Sequence, residues 1–225
     1  MLDLIVPRRC VVCRTPGSQL CSFCHAALRR VEPPLCERCG APTAWAVKRC
    51  RECAGRRLAF ASARAALVYD DAVKRVVSGW KERGLRGLAP AAACLVAEEL
   101  ARPDADAVTF VPADGDRGLW RGHNPAQALA RELGRLWALP VESLLTRPRS
   151  LPRQRGLPLA ERRRNVRGAF GPMGAAPACV CLVDDVYTSG STVAAAASVL
   201  RGAGARRIWV VTLARAVLAA RSPHP

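Results

Sequence analysis

The stretch "CLVDDVYTSGST", residues 181–192, places adjacent carboxylates, Asp184 and Asp185, between an apolar run and a loop of small hydroxyl residues. Two acids side by side repel one another unless they serve something outside themselves, such as sugar hydroxyls or a divalent cation. The loop that follows offers Thr188, Ser189, Ser191 and Thr192 around Gly190. Hydroxyls and backbone N–H groups at a helix N-terminus make a cradle for phosphate, and glycine permits the close backbone approach a phosphate needs. A sugar phosphate satisfies both halves of the stretch at once. No Gly-Lys-Ser/Thr follows, so this is not a Walker loop, and the glycine spacing is not that of a dinucleotide fingerprint. Capping a helix needs one such residue, not two acids and four hydroxyls.

A second set of residues could hold metal. Cysteines fall in pairs with two residues between them: Cys10/Cys13, Cys21/Cys24, Cys36/Cys39 and Cys50/Cys53. Each spacing lets a tight turn present two thiolates to one tetrahedral ion, so four pairs supply two closed four-cysteine zinc sites of structural type. Zinc binding would supply the folding energy that so short a segment lacks. Sequential pairing is the simplest ligand assignment, and a nested one is also compatible with the spacing. The competing disulfide reading needs an oxidising compartment. The start, "MLDLIVPRRC", reads as no signal peptide, which predicts a cytoplasmic location. Cys94, Cys179 and Cys181 lie in apolar runs and read as core residues.

The elements that must position these residues follow from periodicity. Strands are predicted over 61–69, 106–112, near 140–146, over 178–183 and over 207–214. Helices are predicted over 70–84, 88–101, roughly 124–138 and from about Thr192 onward, and residues 147–177 read as a polar stretch. Alternating apolar strands and helices predict an α/β fold with a parallel sheet covered on both faces. The two acids would then emerge at the carboxyl end of a central strand, where open α/β sheets place their ligands. No apolar run approaches the length of a membrane span. The net charge of +17 is almost all arginine, since lysine stands at positions 48, 74 and 81 alone, and it favours polyanionic partners. Aromatic residues are sparse and not interleaved with the arginines, so no dedicated single-strand stacking groove is evident.

The motif at 181–192 resembles the phosphoribosyl-pyrophosphate (PRPP) binding motif of type I phosphoribosyltransferases. Joined to paired cysteines, it resembles the ComF family, linked to competence and DNA uptake. The resemblance extends to "FVPADGDRGLWRGHNPAQ" (110–127) and "RPRSLPRQRGLPLAERRRNVRGAF" (147–170). It implies a type I phosphoribosyltransferase fold preceded by a zinc-ribbon module. Residues 1–58 would form that module, 59–217 the phosphoribosyltransferase-like domain and 218–225 a frayed tail.

In this resemblance Asp184 and Asp185 accept hydrogen bonds from the ribose hydroxyls, and Thr188, Ser189, Gly190, Ser191 and Thr192 hold the 5′-phosphate. Pro112, Ala113 and Asp114 lie against the pyrophosphate, with Arg121 as a direct contact and Mg²⁺ bound together with PRPP. Here the chain departs from the family, which usually carries basic or hydroxyl residues where this sequence reads "ADGDR". Arg149, Gln154, Arg162 and Asn165 match positions in the family's flexible loop, and Lys81 is a candidate phosphate contact. Eight arginines against one acid across 147–170 fit a multiply charged ligand better than a plain solvated loop.

Two functions follow as expectations. One is phosphoribosyl transfer from PRPP to an unknown acceptor. The other is a DNA-binding or DNA-uptake protein that uses the PRPP site as a binding or regulatory module without turnover, with single-stranded DNA or a competence-type protein as partner. For the second reading, residues 1–60 carry eleven basic and four acidic side chains, a balance of +7.

Overall fold

The computed structural model describes residues 8–113, 123–147 and 169–217. Its centre is a parallel sheet of four strands: β1 (Ser62–Val68), β2 (Ala107–Phe110), β5 (Cys179–Tyr187) and β6 (Arg207–Arg215). Their order is β1-β6-β5-β2. Helices α2 (Asp71–Lys81), α3 (Leu88–Glu99), α4 (Pro125–Trp137) and α5 (Ser191–Gly202) flank it, and a short α1 (Ser22–Ala27) lies in the cysteine segment. The predicted parallel sheet between helices, with a cysteine module ahead of it, is therefore present.

Side chains alternate along a strand, and β5 shows this directly. Cys181 and Val183 join one apolar cluster with residues of α2, α3 and α4. Val180 and Leu182 join the other, with Val193, Ala196 and Leu200 of α5. Each cysteine half belongs to a different face. Val11 and Leu28 pack in the first cluster, whereas Cys36, Cys39, Cys53 and Phe60 pack in the second. The backbone also joins the edge of β1, where the amides of Val31 and Val68 donate to the carbonyls of Ala66 and Arg29, each at 2.9 Å.

Helix ends follow their sequence signals. Asp70 Oδ1 accepts the Val73 amide at 3.0 Å and caps α2. Asn124 Oδ1 accepts the Ala126 amide at 3.0 Å, with Pro125 starting α4, the position where a missing N–H costs nothing.

Three expectations are corrected. The strand predicted to end at residue 183 runs on to Tyr187. The predicted strand near 140–146 shrinks to β3 (Leu145–Thr146), which pairs antiparallel with β4 (Gly171–Pro172) from the stretch read as polar loop. Leu145 and Phe170 there are buried against the α5 face, so tertiary packing decides where local periodicity is weak. Cys94 is exposed, on the outer side of α3, although its neighbours Ala93 and Leu95 are buried.

The turns of Cys10/Cys13 and Cys36/Cys39 share one backbone device. Gly40 follows Cys39 with φ 70° and donates its amide to the Cys36 carbonyl at 2.9 Å. Arg14 follows Cys13 with φ 68° and donates to the Cys10 carbonyl at 2.9 Å. The second turn tolerates no side chain, because a Cβ on Gly40 would stand 2.4 Å from the Ala63 carbonyl oxygen. Gly40→Ala is expected to cost about 3 kcal/mol, from left-handed strain plus displacement of β1. Chemical denaturation of the zinc-loaded protein checks this.

Candidate functional site

The sequence of β5 explains how two acids come to be buried. On one side β5 pairs with β6 as far as Tyr187↔Arg215. On the other it pairs with β2 as far as Phe110↔Val183, and the Val111 amide closes that ladder on the Val183 carbonyl at 2.9 Å. Beyond that point no strand among the described residues pairs with that flank of β5, and Asp184 and Asp185 occupy this rim. They are nonetheless 9% and 7% accessible. The expectation that they emerge from the end of the strand is thus corrected: they lie within it, one on each face.

Asp185 shares the parity of Cys181 and Val183 and meets α2. Lys81 Nζ, in the last turn of that helix, pairs with its Oδ2 at 2.5 Å. Lys81, predicted as a phosphate contact, is therefore placed on the acid. Asp184 Oδ1 accepts the Asp185 amide at 2.9 Å. Burial, and then repulsion from Asp185, push the Asp184 carboxyl up to about 8, against weaker opposing pulls from that amide, Lys81 and Arg147.

The loop after β5 turns at Gly190, with φ 70°, and enters α5 directly. Ser189 Oγ lies 2.9 Å from Ser191 Oγ and 3.4 Å from the Ser191 amide. Thr188, Ser189 and Thr192 are exposed, Ser191 is half-buried and Gly190 is buried. The first amides of α5 have no intrahelical partners, and Gly190 supplies no side-chain cap. Tyr187 packs beneath Gly190, and its hydroxyl is buried without a hydrogen-bond partner among the described residues. The rim thus joins acceptors for hydroxyls to a backbone turn and helix start suited to an anion.

Pro112 and Ala113 follow β2 beside the acids and are half-buried, and Asn124 Nδ2 ties this segment by donating to the Val111 carbonyl at 3.0 Å. Asp114, Arg121, Arg149, Gln154, Arg162, Asn165 and the tail 218–225 lie outside the described residues. Two residues the sequence reading did not use touch the site or its support, Arg56 and Arg215, while Arg147, the first of the eight arginines noted in the sequence, acts on Asp184 through its charge and lies over the Phe170 ring. Arg56 Nη1 donates to the Ser189 carbonyl at 2.7 Å, across 133 positions of chain. A cleft of about 680 Å³ opens at the opposite end of β1 and β6, bordered by Arg64, Arg102 and Trp209.

The cysteines assemble sequentially. Cys10, Cys13, Cys21 and Cys24 form one group, and Cys36, Cys39, Cys50 and Cys53 the other, with all sulfurs of a group within 4.8 Å of one another. Sulfur separations of 3.7 Å (Cys13–Cys21), 3.6 Å (Cys36–Cys53) and 3.5 Å (Cys39–Cys50) suit a tetrahedral ion with Zn–S bonds of about 2.3 Å. These are two four-cysteine structural zinc sites. His25 belongs to neither group and instead stands 3.7 Å from Glu98.

The model of the double zinc ribbon domain matches residues 1–54. Along 228 residues the chain is 31% identical to the DNA utilization protein YhgH of Salmonella typhi, spanning 94% of this chain and 99% of that one. The chain belongs to the ComF family. Its similarity to Competence protein F of Haemophilus influenzae is 28% identity, over 92% of this chain and 97% of that protein. Competence protein ComFC of Streptococcus pneumoniae is 27% identical over 90% of each. Among solved structures, orotate phosphoribosyltransferase from Aeropyrum pernix aligns with this ComF-family chain at a TM-score of 0.32. The alignment has 20% identity and covers 67% of this chain and 68% of that one. No helix among the described residues is long and apolar enough to cross a membrane.

Proposed function

We propose that the chain binds PRPP together with Mg²⁺ at the rim of β5 and transfers its phosphoribosyl group to an acceptor. The observation that carries this reading is the pair Asp184 and Asp185, buried where β2 has ended and followed at once by the Gly190 turn into α5. In this reading the two carboxylates accept the ribose hydroxyls, and the amides and hydroxyls of 188–192 hold the 5′-phosphate. The anomeric carbon is then presented on the side of Pro112 and Ala113. A nucleophile attacks that carbon with inversion, and its bond to the pyrophosphate oxygen breaks as pyrophosphate leaves. Bound Mg²⁺ supplies neutralisation of the pyrophosphate charge. The protein's share is positioning and fixed donors, with Arg121 and the arginines of 147–170 proposed on the departing group. Eight metal-binding thiolates go with a reducing, cytoplasmic site of action.

Calorimetric titration of the zinc-loaded protein with PRPP tests this. The expected result is one site per chain whose affinity rises at least about tenfold when Mg²⁺ is added. The absence of heat and of competition by ribose 5-phosphate in both conditions would sink the PRPP reading.

A second reading has its own support. Relatives carry the names DNA utilization protein and competence protein, and residues 1–60 carry a balance of +7. Phe23 and Trp45, one in each zinc half, are 79% and 71% exposed. In this account the zinc ribbon contacts single-stranded DNA or a competence-type partner, and PRPP occupancy regulates that contact without turnover. Affinity for single strands should then fall steeply with salt.

A further inference from the structure

Two struts run from the second zinc half to the loop 188–192. The first is Arg56, three positions beyond Cys53, whose guanidinium holds the Ser189 carbonyl at 2.7 Å. A trans peptide is planar, with its C=O and N–H directed oppositely. Holding the Ser189 oxygen therefore fixes the Gly190 N–H on the side away from Arg56.

The second strut is Arg215, at the end of β6 and 1% exposed. One of its nitrogens donates to the carbonyl of Cys39, itself in the second four-cysteine group, and another to Glu52 Oε2 at 2.8 Å. Its guanidinium lies over the Tyr187 ring, 4.8 Å from the centroid. Tyr187 in turn supports Gly190 so closely that a Cβ there would stand 2.2 Å from the phenolic oxygen. The left-handed turn that begins α5 therefore rests on Tyr187, Tyr187 on Arg215, and Arg215 on the backbone of a zinc ligand. The first zinc half packs on the other face, through Val11 and Leu28.

We propose that the second zinc half is a positioning element for the phosphate loop, with Arg56 and Arg215 as its positioning residues. The Arg56 grip keeps the Gly190 amide aimed for an anion, and the Arg215–Tyr187 stack keeps the turn from relaxing. Loop geometry, and with it affinity for a 5′-phosphate, depends on residues 36–56 of the zinc ribbon. The proposal rests on the reading of 188–192 as the phosphate loop.

Arg56→Ala tests this most cleanly, because Arg56 is only half-buried and its loss leaves every zinc ligand in place. Full-length wild type, Arg56→Ala and Arg56→Lys are compared in two ways, after zinc content and melting temperature show all three folded. Calorimetry follows ribose 5-phosphate and Mg²⁺–PRPP, and hydrogen exchange follows the amides of 188–193. Arg56→Ala should weaken both ligands about tenfold, the size of one charge-assisted hydrogen bond. It should also speed exchange at Gly190, with Arg56→Lys recovering most of both effects. Unchanged affinity with unchanged exchange overturns the proposal. Should the wild type bind neither ligand, the PRPP reading falls and exchange alone decides: faster loop exchange in Arg56→Ala upholds the positioning role, and unchanged exchange overturns it.

Discussion

Asp184→Asn is expected to make the protein more stable and less able to bind PRPP. At pH 8 the melting temperature should rise by about 5 °C, the size of ~2 kcal/mol for a chain of this length. The argument begins with the carboxyl itself. Burial and the neighbouring Asp185 push it up to about 8, whereas an exposed carboxyl in the unfolded chain titrates near about 4. Between those values the folded state holds a proton that the unfolded state has released. Stability from this group is therefore fully present below about pH 4 and is lost as pH rises through about 8. Asparagine keeps the oxygen that accepts the Asp185 amide and has no charge to suppress. Its advantage over wild type should grow between pH 6 and pH 8 and level off above, while zinc remains bound. Calorimetric melts across that window check it, and a variant that melts lower than wild type at pH 8 refutes it. PRPP affinity should move the opposite way. One carboxylate acceptor lost to a ribose hydroxyl weakens binding about tenfold or more, and Asp184→Asn with Asp185→Asn should abolish it with zinc content unchanged. A residue whose removal stabilises the fold and removes ligand is one kept for the ligand.

Residue types and local spacing made much of this legible. The four cysteine pairs mark their ligands because a tight turn between paired cysteines is a local matter, and the apolar periods mark the sheet and its helices. What local reading missed was register. Whether Asp184 stands in or beyond a strand depends on β6 running four residues farther along β5 than β2 does. No feature of "VDDVY" encodes the length of its neighbours. Long-range partners were missed for the same reason. Lys81 meets Asp185 across 104 positions, Arg56 meets Ser189 across 133 and Arg215 meets Cys39 across 176. The sequence did hold one signal for Arg215: an arginine closing an apolar strand must find partners if it is buried. Cys94 failed in the other direction, since an apolar run of alanines disguises the polar face of a helix.

The largest loss of stability should come from the second zinc site. Cys36→Ser is expected to lower bound zinc from two ions to one and to abolish cooperative melting of the sheet. Structural zinc contributes on the order of 10 kcal/mol in small ribbons, comparable with the whole stability of an ordinary domain. In this chain the site is also part of the core. Cys36, Cys39 and Cys53 are 0–1% exposed and pack with Phe60 and with Val193, Ala196 and Leu200 of α5. Arg38, Arg64 and Arg215 bind carbonyls around it, so its collapse also strands the buried guanidinium of Arg215. Cys13→Ser gives the contrast. Cys13 is exposed, and the first half is joined to the body through Val11 and Leu28 rather than through buried arginines. That variant should also lose one zinc yet retain a cooperative, lower-melting transition. Metal content by mass spectrometry and scanning calorimetry separate the two results. Equal effects from the two substitutions would mean that the ribbon folds as one unit and that its two halves share a single role.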